Sequence, residues 1–385
     1  MSDEKKQETA RARGLLKVAD KDPEGALRGL LAGWLEDGRL NAVLVPALAK
    51  TGAATMALVS DPGKIASAAP LLPAMAVNAA SVVRDIAKLP PDEADTKVGV
   101  LLRSCEMRAT VELVKLRQVL TDNLVLIGID CPGTYKSTGF KDTMGGDEDF
   151  DNNHVRNQAE HYANPNLRTA CHVCEFPVPA VADVGVGFLG LDPDEALWVE
   201  SRTDKGDALL EGVELERTDE PAQRAEYLAA LVGKRKKAAE ARIAELDKVM
   251  MGPENLARYF ADCLNCHNCM HVCPVCYCRE CFFESDTFMR QIDEQVRISR
   301  RKGLSRMPSE TLLFHLTRMN HMMASCVACG ICEDSCPAGI GLLPLFKKVS
   351  RNAQAEFDYV AGRALDEDLP LTSFREDEFT TVGEE

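Results

Sequence analysis

The stretch that decides the fold reads Cys263-Leu-Asn-Cys266-His-Asn-Cys269-Met-His-Val-Cys273-Pro274. A second run repeats its cysteine spacing and its final proline between Cys326 and Pro337. This spacing, present twice, is the ligand pattern of a protein with two 4Fe–4S clusters, in which the fourth cysteine of each run binds the neighbouring cluster. The pattern predicts two interlocked ligand sets that pass single electrons. The sets are Cys263, Cys266, Cys269 and Cys336 for one cluster, and Cys326, Cys329, Cys332 and Cys273 for the other.

The segment between the two runs predicts helices. Its Leu and Met side chains recur at helical spacing from Leu312 to Met323, behind a predicted helix start at Pro308 and Ser309. Such a stripe is more typical of a core face than of a cofactor pocket. We therefore expect a mostly α-helical ferredoxin-type domain over residues 255–350, followed by an acidic tail over residues 351–385.

Composition excludes several classes of protein. The 385 residues are 45% hydrophobic and 27% charged, as in soluble globular proteins. A net charge of −15 argues against nucleic acid or an anionic membrane as the main partner. The charged N-terminus does not fit a signal peptide, and we find no apolar run long enough to span a bilayer. Fifteen cysteines then indicate metal binding in a reducing, cytoplasmic compartment rather than disulfides.

The N-terminal half predicts an α/β domain. We expect a flexible N-terminus over residues 1–20, a domain over 21–221 and a linking helix over 222–254. Apolar runs predict three buried strands, and a strand–helix–strand spacing indicates a parallel unit. A long polar loop is expected over residues 133–166. The predicted strands cover residues 41–48, 97–102 and 124–129, with a strand-like segment at 182–187.

Four further cysteines lie near predicted strand ends: Cys105, Cys131, Cys171 and Cys174. Strand ends of a parallel sheet share one edge, so these thiols can converge there. Four converging thiolates bind either a third 4Fe–4S cluster or a structural zinc ion, and the residues alone leave both open.

Several stretches resemble the β subunits of coenzyme F-420-reducing hydrogenase and F-420-dependent formate dehydrogenase. They begin with Asp22-Pro-Glu-Gly25 and Ile127-Gly-Ile-Asp-Cys131, and continue with Cys171-His-Val-Cys174 and Arg202-Thr-Asp204. The resemblance covers more than half of the chain. It implies a 4Fe–4S cluster on the four upstream cysteines, hence three clusters in all, beside an FAD site. By position, the candidate flavin contacts are Gly25, Asn78, Arg103, Arg108 and Lys136.

The resemblance implies an electron-transfer subunit of a multi-subunit oxidoreductase. Its partner would be a formate dehydrogenase, a hydrogenase or a heterodisulfide-reductase-like complex. FAD would exchange a hydride with F-420 or NAD(P) and single electrons with the clusters. Hydride transfer needs mainly alignment, so no catalytic side chain is assigned. The alternatives are a flavin-free ferredoxin-type relay, an NAD(P)-dependent dehydrogenase subunit and a zinc-stapled scaffold.

Two sequence motifs are not explained by this interpretation. Gly185-Val-Gly187-Phe-Leu-Gly190 matches a dinucleotide fingerprint, but Pro193 disfavours the helix that the fingerprint must open. Three surplus cysteines either form another metal centre with His267 or His271, or tune the adjacent cluster. They are Cys276, Cys278 and Cys281.

Overall fold

The computed structural model describes residues 11–92, 95–147, 149–158, 164–250, 252–288, 291–305, 310–370 and 372. These residues form two compact units. The first contains the described residues up to Ala239 together with Gly362–Glu367, and the second contains Glu240–Ala361 and the described residues from Asp368 onward.

The first unit is built on a seven-stranded sheet. Its strands are β1 (Arg13–Lys17), β2 (Ala42–Leu48), β3 (Ala54–Val59), β5 (Val98–Arg103), β6 (Leu124–Ile129), β8 (Val184–Gly187) and β9 (Ala196–Ser201), and a separate parallel pair joins β4 (Ala74–Met75) to β7 (Tyr135–Lys136). The strands of the large sheet follow the order β1-β9-β8-β6-β5-β2-β3. The four central strands, β8, β6, β5 and β2, are parallel, and the strands outside them are antiparallel.

Helices cover this sheet because each has one apolar face. Leu27, Leu31 and Trp34 of the first helix are buried in one core with sheet residues such as Val43 and Ile127. The helices are α1 (Pro23–Glu36), α2 (Ala79–Ile86), α3 (Ser104–Lys115), α4 (Phe140–Met144), α5 (Phe150–Arg156), α6 (Thr169–His172), α7 (Asp204–Leu210) and α8 (Ala222–Val249). The predicted α/β class and its three buried strands are confirmed.

Two predictions about irregular segments were wrong in part. Arg13–Lys17 do not fray, because β1 pairs along its length with β9; residues 1–10 lie outside the described ranges. The predicted long loop contains β7, α4 and α5. Its aromatic side chains Tyr135, Phe140 and Phe150 contact each other in a small cluster, and this local burial supports short helices in a polar segment.

The second unit is helical. Its core contains Leu246, Phe260, Phe314 and Phe346, with several cysteines packed against it. The C-terminal end of α8 belongs to this unit. The helices that follow it are α9 (Pro253–Tyr259), α10 (Asn268–His271), α11 (Ile292–Lys302), α12 (Thr311–Met322), α13 (Ile331–Asp334) and α14 (Leu342–Glu356). The predicted helix start at Pro308 and Ser309 lies outside the described residues. The predicted acidic tail begins inside α14, and residue 371 and residues from 373 lie outside the description.

Within the described ranges, no helix is both long and apolar enough to cross a membrane.

Candidate iron–sulfur centres

The two cysteine runs adopt the same unusual backbone. Asn265 and His267 have positive φ angles of 52° and 57°, and the matching positions of the second run, Ala328 and Gly330, have 55° and 73°. A left-handed conformation is costly for a residue other than glycine, and it persists where a functional loop requires it. Each run then enters a one-turn helix, α10 or α13, before its Cys-Pro. The repeated spacing thus corresponds to a repeated loop geometry.

The first predicted ligand set is brought together. Cys263, Cys266, Cys269 and Cys336 line a single cavity, although Cys336 belongs to the other run. Burial raises the pKa of Cys269, and the nearby Cys263, Cys336 and Cys266 thiols add to that rise. Such a group of desolvated thiols is stable as thiolates only with a cation or cluster among them. The donor chemistry therefore fits an iron–sulfur cube.

The second predicted set is also brought together. Burial raises the pKa of Cys332 well above its ordinary value, and Cys329, Cys273 and Cys326 act in the same direction. Burial raises the pKa of Cys273 to about 12, with Cys326 among its neighbours. Cys273 is thus placed with the opposite run, as the interlocked arrangement requires.

Sequence reasoning missed two side chains between these loops, both on α12. His315 is 1% exposed and its Nε2 lies 3.3 Å from the Cys263 Sγ. Its ring stacks on Phe260 with centroids 3.9 Å apart. Burial and the neighbouring Arg318 charge lower the pKa of His315 to about 4, so the ring is neutral at pH 7. Arg318 is also buried, and neither residue stood out in a stripe dominated by Leu and Met.

The upstream cysteines converge at the carboxyl edge of the sheet. Burial raises the pKa of Cys131 to about 12, and Cys171 and Cys174 contribute to that rise. The charges of Cys105, Cys131 and Cys171 all act on the Arg103 guanidinium.

A folded-back loop explains this convergence. Cys171 precedes β8, yet Thr134 donates its backbone N–H to the Cys171 Sγ at 3.3 Å, and the Cys131 N–H donates to the Pro177 carbonyl at 2.9 Å. The loop therefore returns the Cys171–Cys174 pair to the end of β6. The chemistry of these four thiols fits a third cluster.

The five flavin candidates are placed differently from one another. Asn78 caps α2, is fully buried and has a side-chain Nδ2 without a partner among the described residues. Lys136 is exposed on β7, which pairs with β4 three residues before Asn78. Asn78 and Lys136 therefore fit a polar, phosphate-bearing ligand.

The other three candidates are already engaged. The Gly25 N–H donates to the Asp22 side chain at 2.9 Å, and a Cβ at Gly25 would lie 2.2 Å from that carboxylate. Arg103 donates to Glu106 and to the Leu72 carbonyl. The Arg108 guanidinium lies 3.8 Å from the centroid of the Phe176 ring. Their contacts give each of them a structural role.

The glycine-rich motif does not form a dinucleotide turn. Gly190 turns with φ 78°, and the chain continues into β9 antiparallel to β8 instead of opening a helix. A Cβ at Gly187 would lie 2.6 Å from the guanidinium carbon of Arg224. The close approach of α8 explains why Gly187 and Gly190 lack side chains. The prediction that this motif is not a dinucleotide fingerprint is confirmed.

The surplus cysteines are spread along one loop. Cys276 is close enough to Cys273 and Arg318 to influence both electrostatically. The Cys281 thiol lies 3.3 Å from the Met270 sulfur, and Cys278 is exposed. His271 pairs with Glu284 at 2.8 Å. Among the described residues, Cys276, Cys278 and Cys281 form no three-residue ligand set for a single metal ion with His267 or His271.

Two buried charge clusters of the first unit also escaped the sequence analysis. Asp130, directly before Cys131, pairs with Arg224 of α8 and accepts the backbone N–H groups of Phe188 and Leu189, each at 2.9 Å. Glu24 lies beside Asp151, and burial raises the pKa of Glu24 to about 8 and that of Asp151 to about 6. Single charged residues in helices and loops carry no signal of burial, so only the tertiary structure reveals these pairs.

Fold and site together define an iron–sulfur protein of the electron-transfer class, with an α/β domain followed by a helical dicluster domain. Comparison with known families agrees. Residues 95–221 match the family described as the C terminus of the coenzyme F420 hydrogenase/dehydrogenase beta subunit. Residues 259–340 match the 4Fe-4S dicluster domain. The chain is therefore similar to F420 hydrogenase/dehydrogenase beta subunits over the first stretch and to 4Fe-4S dicluster proteins over the second, and the resemblance stated from sequence is confirmed.

Known relatives carry related names. The F420-dependent formate dehydrogenase subunit beta of Methanocaldococcus jannaschii is 27% identical over 306 residues, which cover 72% of this chain and 76% of the relative. The F420-dependent formate dehydrogenase 1 subunit beta of Methanococcus maripaludis is 29% identical over 306 residues, 72% of this chain and 75% of the relative. A chain of the xenon-derivatised F420-reducing [NiFe] hydrogenase complex from Methanosarcina barkeri matches with a TM-score of 0.44 and 16% identity, over 60% of this chain and 92% of that one.

Proposed function

We propose that this chain is the iron–sulfur flavoprotein subunit of a multi-subunit, F420-linked oxidoreductase. In this role it exchanges a hydride at FAD with a soluble coenzyme and passes single electrons along three 4Fe–4S clusters to a partner subunit, or carries out the reverse. Residues 21–221 would hold FAD and one cluster, and residues 255–350 would hold two clusters. Two relatives are named as F420-dependent formate dehydrogenase subunits, so a formate dehydrogenase catalytic subunit is the partner we favour.

One observation carries the proposal. In each unit, cysteines far apart in sequence converge, and in the second unit the convergence exchanges the fourth cysteine between two loops. A ligand exchange of this kind places two cubes side by side, which is the arrangement for electron transfer. A structural zinc site needs no such exchange.

The bound cofactors and the side chains of this chain would have separate roles. Bound FAD supplies the conversion between two-electron hydride chemistry and one-electron transfer. The Asn78 Nδ2, which has no partner among the described residues, would donate a hydrogen bond to an anionic group of the flavin, and Lys136 would neutralise its charge. Arg103 holds its charge between the upstream cysteines and Glu106, where it favours the thiolate forms.

The test is anaerobic purification followed by cofactor counting and reduction trials. We expect about twelve irons, from three four-iron clusters, and one flavin per chain. Reduced F420 should bleach the visible absorbance of the clusters, whereas NADH should not. About eight irons would remove the upstream cluster from the proposal, and bleaching by NADH alone would replace F420 with a nicotinamide.

A flavin-free relay is the second candidate. It is favoured by the engagement of Gly25 and Arg103 within the protein, which leaves fewer groups for FAD. Twelve irons without flavin, together with reduction by dithionite but not by any hydride donor, would establish the relay.

A further inference from the structure

Arg318 occupies an unusual position for a cation. It lies on α12 with 5% of its surface exposed. Its Nη2 donates to the Cys269 carbonyl at 2.9 Å, and its guanidinium lies 4.8 Å from the centroid of the Phe346 ring. Its Nε and Nη1 have no hydrogen-bond partner among the described residues. Two buried donors of a permanent cation are costly to leave unpaired, which indicates that something absent from the protein atoms accepts them.

The surroundings of Arg318 belong to both ligand sets. Its charge acts on Cys269, a member of the first set, and on Cys273 and Cys332, members of the second. After burial, Arg318 is the strongest influence on the pKa of each of these three thiols, and it lowers all three. A single guanidinium is therefore shared electrostatically by two sites that are otherwise built from different loops.

A fixed positive charge has a defined effect on a redox centre. Reduction adds one negative charge to a cluster, so a nearby cation stabilises the reduced form more than the oxidised form. Burial strengthens the effect, because low-dielectric surroundings screen the charge less than water does. Hydrogen bonds donated to cluster sulfur act in the same direction, and both are recognised determinants of cluster potential.

We propose that Arg318 is a tuning residue that raises the reduction potentials of both clusters in the second unit. Its charge also offsets the repulsion between two reduced clusters, so that the pair can hold two electrons at once. The inference rests on the proposed presence of the two clusters. Arg318 is a permanent cation, and its effect is independent of pH over the physiological range.

The test compares charge-removing and charge-keeping variants of the full chain. Arg318→Met removes the charge and keeps much of the volume, whereas Arg318→Lys keeps the charge. Arg300→Met, on the exposed surface of α11, is the matched control for net charge. Each protein is purified anaerobically, its iron is counted, and the midpoint potentials are measured by a redox titration followed by electron paramagnetic resonance.

We expect Arg318→Met to lower the reduced-to-oxidised ratio of both clusters at least tenfold at a fixed potential, a shift of about 59 mV for one electron. Arg318→Lys and Arg300→Met should stay within threefold of the unmodified protein. A change below threefold in Arg318→Met, a change in one cluster alone, or an equal change in Arg300→Met would overturn the inference.

Two further outcomes separate this inference from the proposed function. If Arg318→Met does not retain iron, Arg318→Lys decides: a tenfold or larger loss at both clusters would show that charge is not what Arg318 supplies. If the unmodified protein holds no iron in its second unit, the proposed function fails first. If the unmodified protein holds this iron but Arg318→Met leaves the midpoint potentials unchanged, the proposed function is retained and the proposed role of Arg318 is wrong.

Discussion

Replacing Asp130 by asparagine tests the buried ion pair next to Cys131. The side chains of Asp130 and Arg224 are 1% and 3% exposed, and they form two contacts. The same carboxylate accepts the backbone N–H groups of Phe188 and Leu189 at the turn after β8. Asparagine keeps the shape but removes the charge, so Arg224 keeps only the half-exposed Glu220, whose Oε1 lies 2.9 Å from its Nε, as a counter-ion.

Breaking one side of a buried ion pair costs about 3–5 kcal/mol, because the remaining charge is desolvated and uncompensated. A domain is typically stable by only about 5–15 kcal/mol, so this loss is large. The Arg224 guanidinium packs closely against the backbone of Gly187, where it fills the space that a Cβ would occupy, so it has little room to move to a new partner. Because Glu220 still compensates part of the Arg224 charge, we expect Asp130→Asn to lower the free energy of unfolding of the first unit by about 3 kcal/mol, the lower end of this range.

The two tryptophans make the assay specific. Trp34 and Trp198 are the only two in the chain, both lie in the first unit, and both are 1% exposed. Urea unfolding followed by tryptophan fluorescence therefore reports on that unit alone. The control is Asp219→Asn, whose partner is Arg13; both side chains are more than half exposed. A surface pair contributes about 0–1 kcal/mol. A loss below about 1 kcal/mol in Asp130→Asn, or equal losses in both variants, would refute the reasoning.

Two other predictions concern the carboxyl pair and the cysteine loops. Burial raises the folded pKa of Glu24 from 4.5 to about 8, so the stability from the protonated group is fully present below pH 4.5 and is lost as the pH rises through 8. Glu24→Gln should flatten this loss and raise the free energy of unfolding at pH 7 by about 1 kcal/mol or more in pH-dependent urea titrations, after the loss of the Glu24–Arg28 ion pair. An unchanged pH profile would contradict this prediction. Ala328 has a φ of 55°, so Ala328→Gly should stabilise the second unit by about 1 kcal/mol in thermal unfolding. The same change at Ala241, exposed within α8, should cost about 1 kcal/mol; losses at both positions would show that the left-handed turn is not strained.

Local signals predicted much of the fold. The three apolar runs became β2, β5 and β6, because buried parallel strands need continuous apolar side chains. The ends of α1 also carry local signals: the Asp22 side chain caps its start, and Gly38 follows its end with a φ of 67°. The edge strands β1 and β3 were not predicted, because half-exposed edge strands depend on their pairing partners more than on their own composition. The mostly buried β9, which pairs between β1 and β8, was not predicted either.

The sequence by itself determined the iron–sulfur chemistry of this protein, because cluster ligation requires specific residues at fixed local spacing in the two cysteine runs. Only the tertiary structure decided what surrounds those ligands. The return of Cys171 to the end of β6, and the burial of His315 and Arg318 beside the thiols, depend on segments far apart in sequence. Burial and electrostatic proximity are properties of the packed chain, and the spacing of residues along it does not encode them locally.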